Sequence, residues 1–244
     1  MILQPIDGRL TPNNCAVILM DYQSRYAATI DSTNREILIH NAINLAKISR
    51  IFNIPTLLTT IGESNLGGPV FSELQEIFPD QIPMDRTTLS LFEDTRFSTA
   101  MEKIGRNNLV IAGLWTDFGV APTVEQAREL GFEVFLVVDA CGDVSMTAHQ
   151  TAIRRLLQRG ASPITWLQML LAFHRDWAPP EAYEALRNIA RDHATAYGLE
   201  IRYARPGLDE DDRNGNQEKA KERWWERWSM VTSRPLRKSQ KRPC

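Results

Sequence analysis

The sequence predicts an α/β fold: three layers, α/β/α, about a mostly parallel central sheet, with a C-terminal tail. Three observations predict it. Short apolar runs alternate along the chain with stretches whose apolar residues recur at helical spacing. The runs are continuous rather than alternating, as expected of strands covered on both faces. Glycine or proline stands at most of the junctions between them.

The first run, Ala16-Val17-Ile18-Leu19-Met20, follows Pro12-Asn13-Asn14 and closes on Asp21. Over residues 35–52 the apolar residues Ile37, Leu38, Ile39, Ala42, Ile43, Leu45, Ala46, Ile48 and Ile51 recur at helical spacing, with Ser32-Thr33-Asn34 as candidate caps. Residues 55–60 predict the next strand, 69–78 a short helix stopped by Pro79, and 98–104 a helix ended by Gly105. A strand over 109–114 then feeds a helix over 122–130. The stretch 133–140, Glu-Val-Phe-Leu-Val-Val-Asp-Ala, is the most β-branched of the chain and predicts a strand. A helix over 146–159, a short strand over 163–166 and helices over 167–177 and 181–196 complete the alternation. Right-handed crossovers bring the ends of parallel strands to one edge, where open α/β sheets hold their ligands.

From about residue 206 the composition changes. Residues 208–217 are acidic and poor in apolar side chains, 218–230 carry Trp224, Trp225 and Trp228, and 234–244 are basic. The expected organisation is a domain over 1–205 and a charged, partly disordered extension over 206–244. The three tryptophans are expected to pack on a neighbour rather than bind a cofactor.

The 43% hydrophobic content suffices for a sizeable core, and a net charge of −2 gives no electrostatic case for nucleic acid or an anionic membrane. Cys15, Cys141 and Cys244 are too scattered for a disulfide framework or a metal knuckle. His40, His149, His174 and His193 show no metal-ligand spacing. No run reaches the roughly 18 apolar residues of a membrane span. These readings point to a cytoplasmic protein with reduced thiols, no metal and no cofactor, acting on a small molecule.

Three ordered motifs carry a family resemblance: Asp21-Tyr22-Gln23 after the first strand; Arg86-Thr87-Thr88-Leu89-Ser90-Leu91-Phe92; and Gly113-Leu114-Trp115-Thr116-Asp117-Phe118-Gly119-Val120 after the strand at 109. Together with 132–140, Ile164-Thr165-Trp166 and His174-Arg175-Asp176-Trp177, they resemble the isochorismatase-like hydrolases, or cysteine hydrolase superfamily, in its YcaC-like branch. The resemblance covers roughly residues 8–200. It implies a base at Asp21, a cation at Arg86 in place of lysine, and a nucleophile position at Gly119, where the cysteine-using members carry sulfur. It implies substrate or oxyanion contacts from Gln23, Trp115 and Thr116, a cis bond at Leu114–Trp115, and oxyanion donors in the amides of Trp115 and Gly119. A homo-oligomer is implied by analogy.

Gly119 has no side chain, so a thiolate attacking an amide carbon is not available there. Cys141 is expected to be a buried small hydrophobe, and Thr116 and Asp139 to bond local backbone. Two functions follow. In the first, Asp21 serves as acid/base in hydrolysis without a covalent intermediate, as the isochorismatases do with vinyl ethers, and Arg86 pairs with Asp21 or anchors an anionic substrate. In the second, the chain is catalytically silent and kept for ligand binding or assembly.

Overall fold

The computed structural model describes residues 10–173. Six strands form one sheet: β1 (Cys15–Met20), β2 (Thr56–Ile61), β3 (Met84–Arg86), β4 (Asn108–Gly113), β5 (Glu133–Val137) and β6 (Ser162–Ile164). Their order is β3-β2-β1-β4-β5-β6 and every pairing is parallel. Seven α-helices are described: α1 (Ser24–Ala28), α2 (Arg35–Ile51), α3 (Ser72–Ile77), α4 (Thr95–Ile104), α5 (Ala121–Glu129), α6 (Met146–Gln158) and α7 (Trp166–Phe173). Helices flank the sheet: α2 packs on β1, α3 and α7, while α5 packs on β5 and α6.

The continuous apolar runs have the predicted cause. Every residue of β1 and of β4 is buried, and each large aliphatic side chain so buried contributes roughly 1.5–3 kcal/mol. The order also locates the site. Strand order reverses between β1 and β4, so a crevice opens between their carboxyl ends. Their register sets Met20 opposite Gly113, which brings the residues after each strand side by side.

Local signals explain most element bounds. Asn34 caps α2 by accepting from the Ile37 amide, and Ser145 caps α6 by accepting from the Ala148 amide. α4 begins at Thr95, three residues before its predicted start, because the Asp94 side chain accepts from the Arg96 amide. β5 ends at Val137 instead of 140: residues Val138–Ala140 form a 3-10 turn, and the Asp139 carboxylate accepts from the Trp166 amide. α1 and β3 are short elements with no counterpart in the predicted series. The predicted helix over 167–177 is described as far as Phe173. The helix over 181–196, His174, His193, the domain boundary at 205 and the extension lie outside the described residues.

Candidate active site

Asp21 leaves β1 in a left-handed conformation, with φ of 57°. Aspartate tolerates this region better than most residues. Its amide donates to the Thr59 carbonyl, and its carbonyl accepts from the Gln23 amide. The chain therefore turns sharply, and the Asp21 carboxylate is held inward at the sheet edge. Trp115 does the same after β4, with φ of 54°. Among the described residues only Asn53 joins them as a left-handed non-glycine, so two of the three such sites face each other across the strand-order reversal.

Arg86 ends β3, opposite Ile61 of β2. It is 2% exposed and Asp21 is 3% exposed, so neither charge is solvated. The guanidinium forks onto the carboxylate: Nη1 donates to Oδ1 at 2.6 Å and Nη2 to Oδ2 at 2.8 Å. Nη1 also donates to the Thr60 carbonyl and Nη2 to the Leu89 carbonyl, whereas Nε is buried without a partner. Thr59 adds a longer hydroxyl contact to Oδ1, at 3.4 Å. Of the two roles open to Arg86 in the sequence, pairing with Asp21 is the one its geometry takes. Burial pushes the Asp21 carboxyl above the usual carboxylate range, with the Arg86 hydrogen bonds and charge pulling the other way.

Gly119 closes this constellation. A Cβ built on it stands 3.1 Å from Asp21 Oδ2 and 3.4 Å from Arg86 Nη2. The three catalytic candidates thus converge on one point. Gly119 lies in a tight helical turn, Thr116–Val120, and its φ is not left-handed, so its backbone would accept a side chain. Gly113 contrasts with it: a Cβ there would sit 2.6 Å from Met20 Cβ and 2.7 Å from the Met20 carbonyl oxygen. That glycine is required for β4 to close on β1.

The other three candidates have mainly bracing contacts. Gln23 is fully buried; its Oε1 accepts from the Ile61 amide, and its Nε2 donates to the Gly68 carbonyl at 2.6 Å. It ties the end of β2 to the loop Gly62–Gly68, which clears it only because residue 67 is glycine: a Cβ there would fall 2.2 Å from Nε2. Thr116 is fully buried, donating its hydroxyl to the Gly142 carbonyl at 3.2 Å and lying 2.9 Å from His149 Nδ1. The Trp115 indole donates to Thr29 Oγ1, and its ring lies against Tyr26 at 4.8 Å and Phe118 at 5.6 Å. Tyr26 is close enough to Asp21 and Arg86 to feel their charges, although burial is the larger influence raising its phenol pKa.

Two expectations need correction. There is no cis peptide bond among the described residues, so Leu114–Trp115 is trans; the turn is made by the left-handed Trp115. The Gly119 amide donates to the Trp115 carbonyl at 3.1 Å, so the helical turn uses the donor expected for an oxyanion. Cys141 is buried just after the 3-10 turn that follows β5, its thiol pushed up to about 12 by desolvation, which suits an inert residue. The described residues contain no group of three or more His, Cys, Asp or Glu able to hold a metal. No described helix is long and apolar enough to cross a membrane.

A six-stranded parallel sheet with an aspartate after β1, a cation at the end of β3 and a tight turn after β4 is consistent with the α/β fold of the isochorismatase-like family. The chain belongs to that family: residues 15–168 match the Isochorismatase domain. It is 33% identical over 190 residues to the probable hydrolase YcaC of Escherichia coli, covering 78% of this chain and 90% of the relative. The structure of YcaC from Pseudomonas aeruginosa with hexane-2,5-diol and covalent acrylamide superposes with a TM-score of 0.76 at 32% identity, over 82% of this chain and 98% of the other. The Escherichia coli YcaC structure, described as an octameric hydrolase of unknown specificity, gives the same TM-score at 31% identity, over 82% of this chain and 98% of the other.

Proposed function

We propose that this chain hydrolyses a small molecule by direct addition of water, with Asp21 as acid/base and no covalent enzyme intermediate. One observation carries the reading: Asp21 Oδ2 lies 3.1 Å from the point where a side chain on Gly119 would begin, with Arg86 Nη2 at 3.4 Å. With no side chain on residue 119, the space beyond that point, which a longer side chain would fill, is left to a substrate atom. Asp21 gives a proton to the alkene carbon of a vinyl ether seated there, which breaks the C=C π bond. Water adds to the resulting oxocarbenium carbon, its released proton returns to Asp21, and the hemiketal collapses by cleavage of the ether C–O bond to a carbonyl and an alcohol. Burial raises the proton affinity of the Asp21 carboxyl while the Arg86 fork lowers it, so the exchange calls for a substrate anion that draws Arg86 from one carboxylate oxygen. Covalent acrylamide on the Pseudomonas relative requires a nucleophile; Gly119 supplies none, which separates this chain from cysteine-dependent amidase chemistry. Because both Nη atoms are turned onto Asp21, an anionic substrate group would be met only by sharing that fork.

The test is turnover of a panel of vinyl ethers, isochorismate among them, and small amides. Hydrolysis by the wild-type chain that Asp21→Asn abolishes and Cys141→Ala leaves intact supports the proposal; no turnover across the panel counts against it. The second reading, a silent member kept for ligand binding or assembly, is favoured by the closure of the pair, whose carboxylate oxygens are both taken and out of solvent. Ligand binding without turnover would select it. We also propose a homo-oligomer, by likeness to the octameric relative; light scattering at the 27.8 kDa of one chain would refute that.

A further inference from the structure

A concave site lies at the carboxyl edge of the sheet, over the end of β5 and between α2 and α6. It is a cleft of about 510 Å³, within the roughly 300–1,000 Å³ of small-molecule sites. Its walls are mainly apolar: Ile37 from α2, Val138 after β5, and Met146 and Ile153 from α6. Ile37 and Met146 are 56% and 50% exposed, so large apolar side chains stand open at its rim.

Two polar groups in the cleft are incompletely matched. Asp139 is half-buried, and its carboxylate accepts from the Trp166 amide at Oδ1 and from its own backbone amide. Among the described residues no cation pairs with it: Arg86, Arg96, Arg128 and Arg155 make the ion pairs found, none of them to Asp139. A desolvated carboxylate without a counter-charge is costly. His149 is the other group. When the Thr116 hydroxyl donates to the Gly142 carbonyl, His149 Nδ1 brings the hydrogen to the 2.9 Å contact with Thr116 Oγ1. In that tautomer Nε2 of the neutral ring is an acceptor.

We propose that this cleft binds a small primary amine with an apolar body, its ammonium group meeting the Asp139 carboxylate and His149 Nε2 while the body lies against Ile37, Met146 and Ile153. An ammonium supplies the missing charge and donors at once, and an alkyl or aryl body covers the exposed apolar rim. The other ionisable groups around the cleft are Arg154 from α6, Cys141 from its floor, and Asp143, whose charge His149 feels. Arg154 is exposed and is not among the charges acting on Asp139.

The experiment is calorimetric titration of the full chain with hexylamine at pH 7.5, with hexan-1-ol and hexanoate as comparisons. One hexylamine per chain is expected to bind, at least tenfold more tightly than hexan-1-ol, with no binding of hexanoate. Asp139→Asn, which keeps the acceptor for the Trp166 amide, should weaken the amine at least tenfold, and Met146→Trp should fill the cleft and abolish binding. Burial raises the Asp139 pKa to about 6, so lowering the pH to 5 should weaken the amine about tenfold by protonating it. Absence of amine binding overturns the proposal, as does binding indifferent to both substitutions. A change of oligomeric state in Met146→Trp with no amine bound to the wild type would assign the cleft to subunit contact and equally overturn it.

Discussion

The pairing of Asp21 with Arg86 can be tested by removing each charge alone and then both. The two groups are joined by hydrogen bonds of 2.6 and 2.8 Å and are 3% and 2% exposed. At an effective dielectric of about 20, unit charges roughly 4 Å apart attract by about 4 kcal/mol. Desolvation of each ion costs several kcal/mol in the other direction, so the pair as a whole adds little net stability, whereas losing one partner costs about 3–5 kcal/mol. Asp21→Asn is the appropriate single change, because asparagine tolerates the left-handed backbone at φ 57°, and Arg86→Met keeps the length of the stem. Urea unfolding should show each single variant destabilised by about 3–5 kcal/mol, and the double variant destabilised by clearly less than the sum. The Nε atom of Arg86, buried and unpaired, adds to what Arg86→Met relieves. Additive effects, or single losses under about 1 kcal/mol, would mean that the two charges are not held against each other as the geometry has them, and the acid/base site would lose its foundation.

Three further outcomes are expected. Gly119→Cys should create a thiol that iodoacetamide alkylates at pH 7 ahead of Cys15 and Cys141, whose burial raises both pKa values to about 12; peptide mass spectrometry reads the order, and equal labelling would refute it. Gly113→Ala should cost about 1–3 kcal/mol or more by overpacking against Met20, while Gly119→Ala, with its 3.1 Å contact to a side-chain oxygen, should cost less; thermal denaturation compares them. Asp139 has a folded-state pKa raised to about 6 by burial, so its stabilising contribution is fully present below the ordinary value of about 3.9 and is lost as pH rises through about 6. Asp139→Asn should therefore flatten the fall in melting temperature between pH 4 and 7, and an unchanged slope would count against it.

The layered fold and the neighbourhood of Asp21 with the 113–120 turn were legible in the chain because burial on both faces demands continuous apolar runs, and such runs survive as a pattern in sequence. β3 was not, since three residues, Met84–Arg86, carry no periodicity. Its pairing with β2 is what converts Arg86 from a charged residue between segments into a buried partner. The sequence could place Gln23 and Thr116 in the motifs but could not say what their side chains meet. Their bonds to Ile61, Gly68, Gly142 and His149 span 26 to 45 residues of chain. The same holds for the cleft beside Asp139, assembled from α2, the end of β5 and α6. Local composition thus determined most of the strand segments, though neither β3 nor the end of β5. Only tertiary packing decided which charges lost their water, because desolvation depends on neighbours that are distant in the chain and adjacent in space.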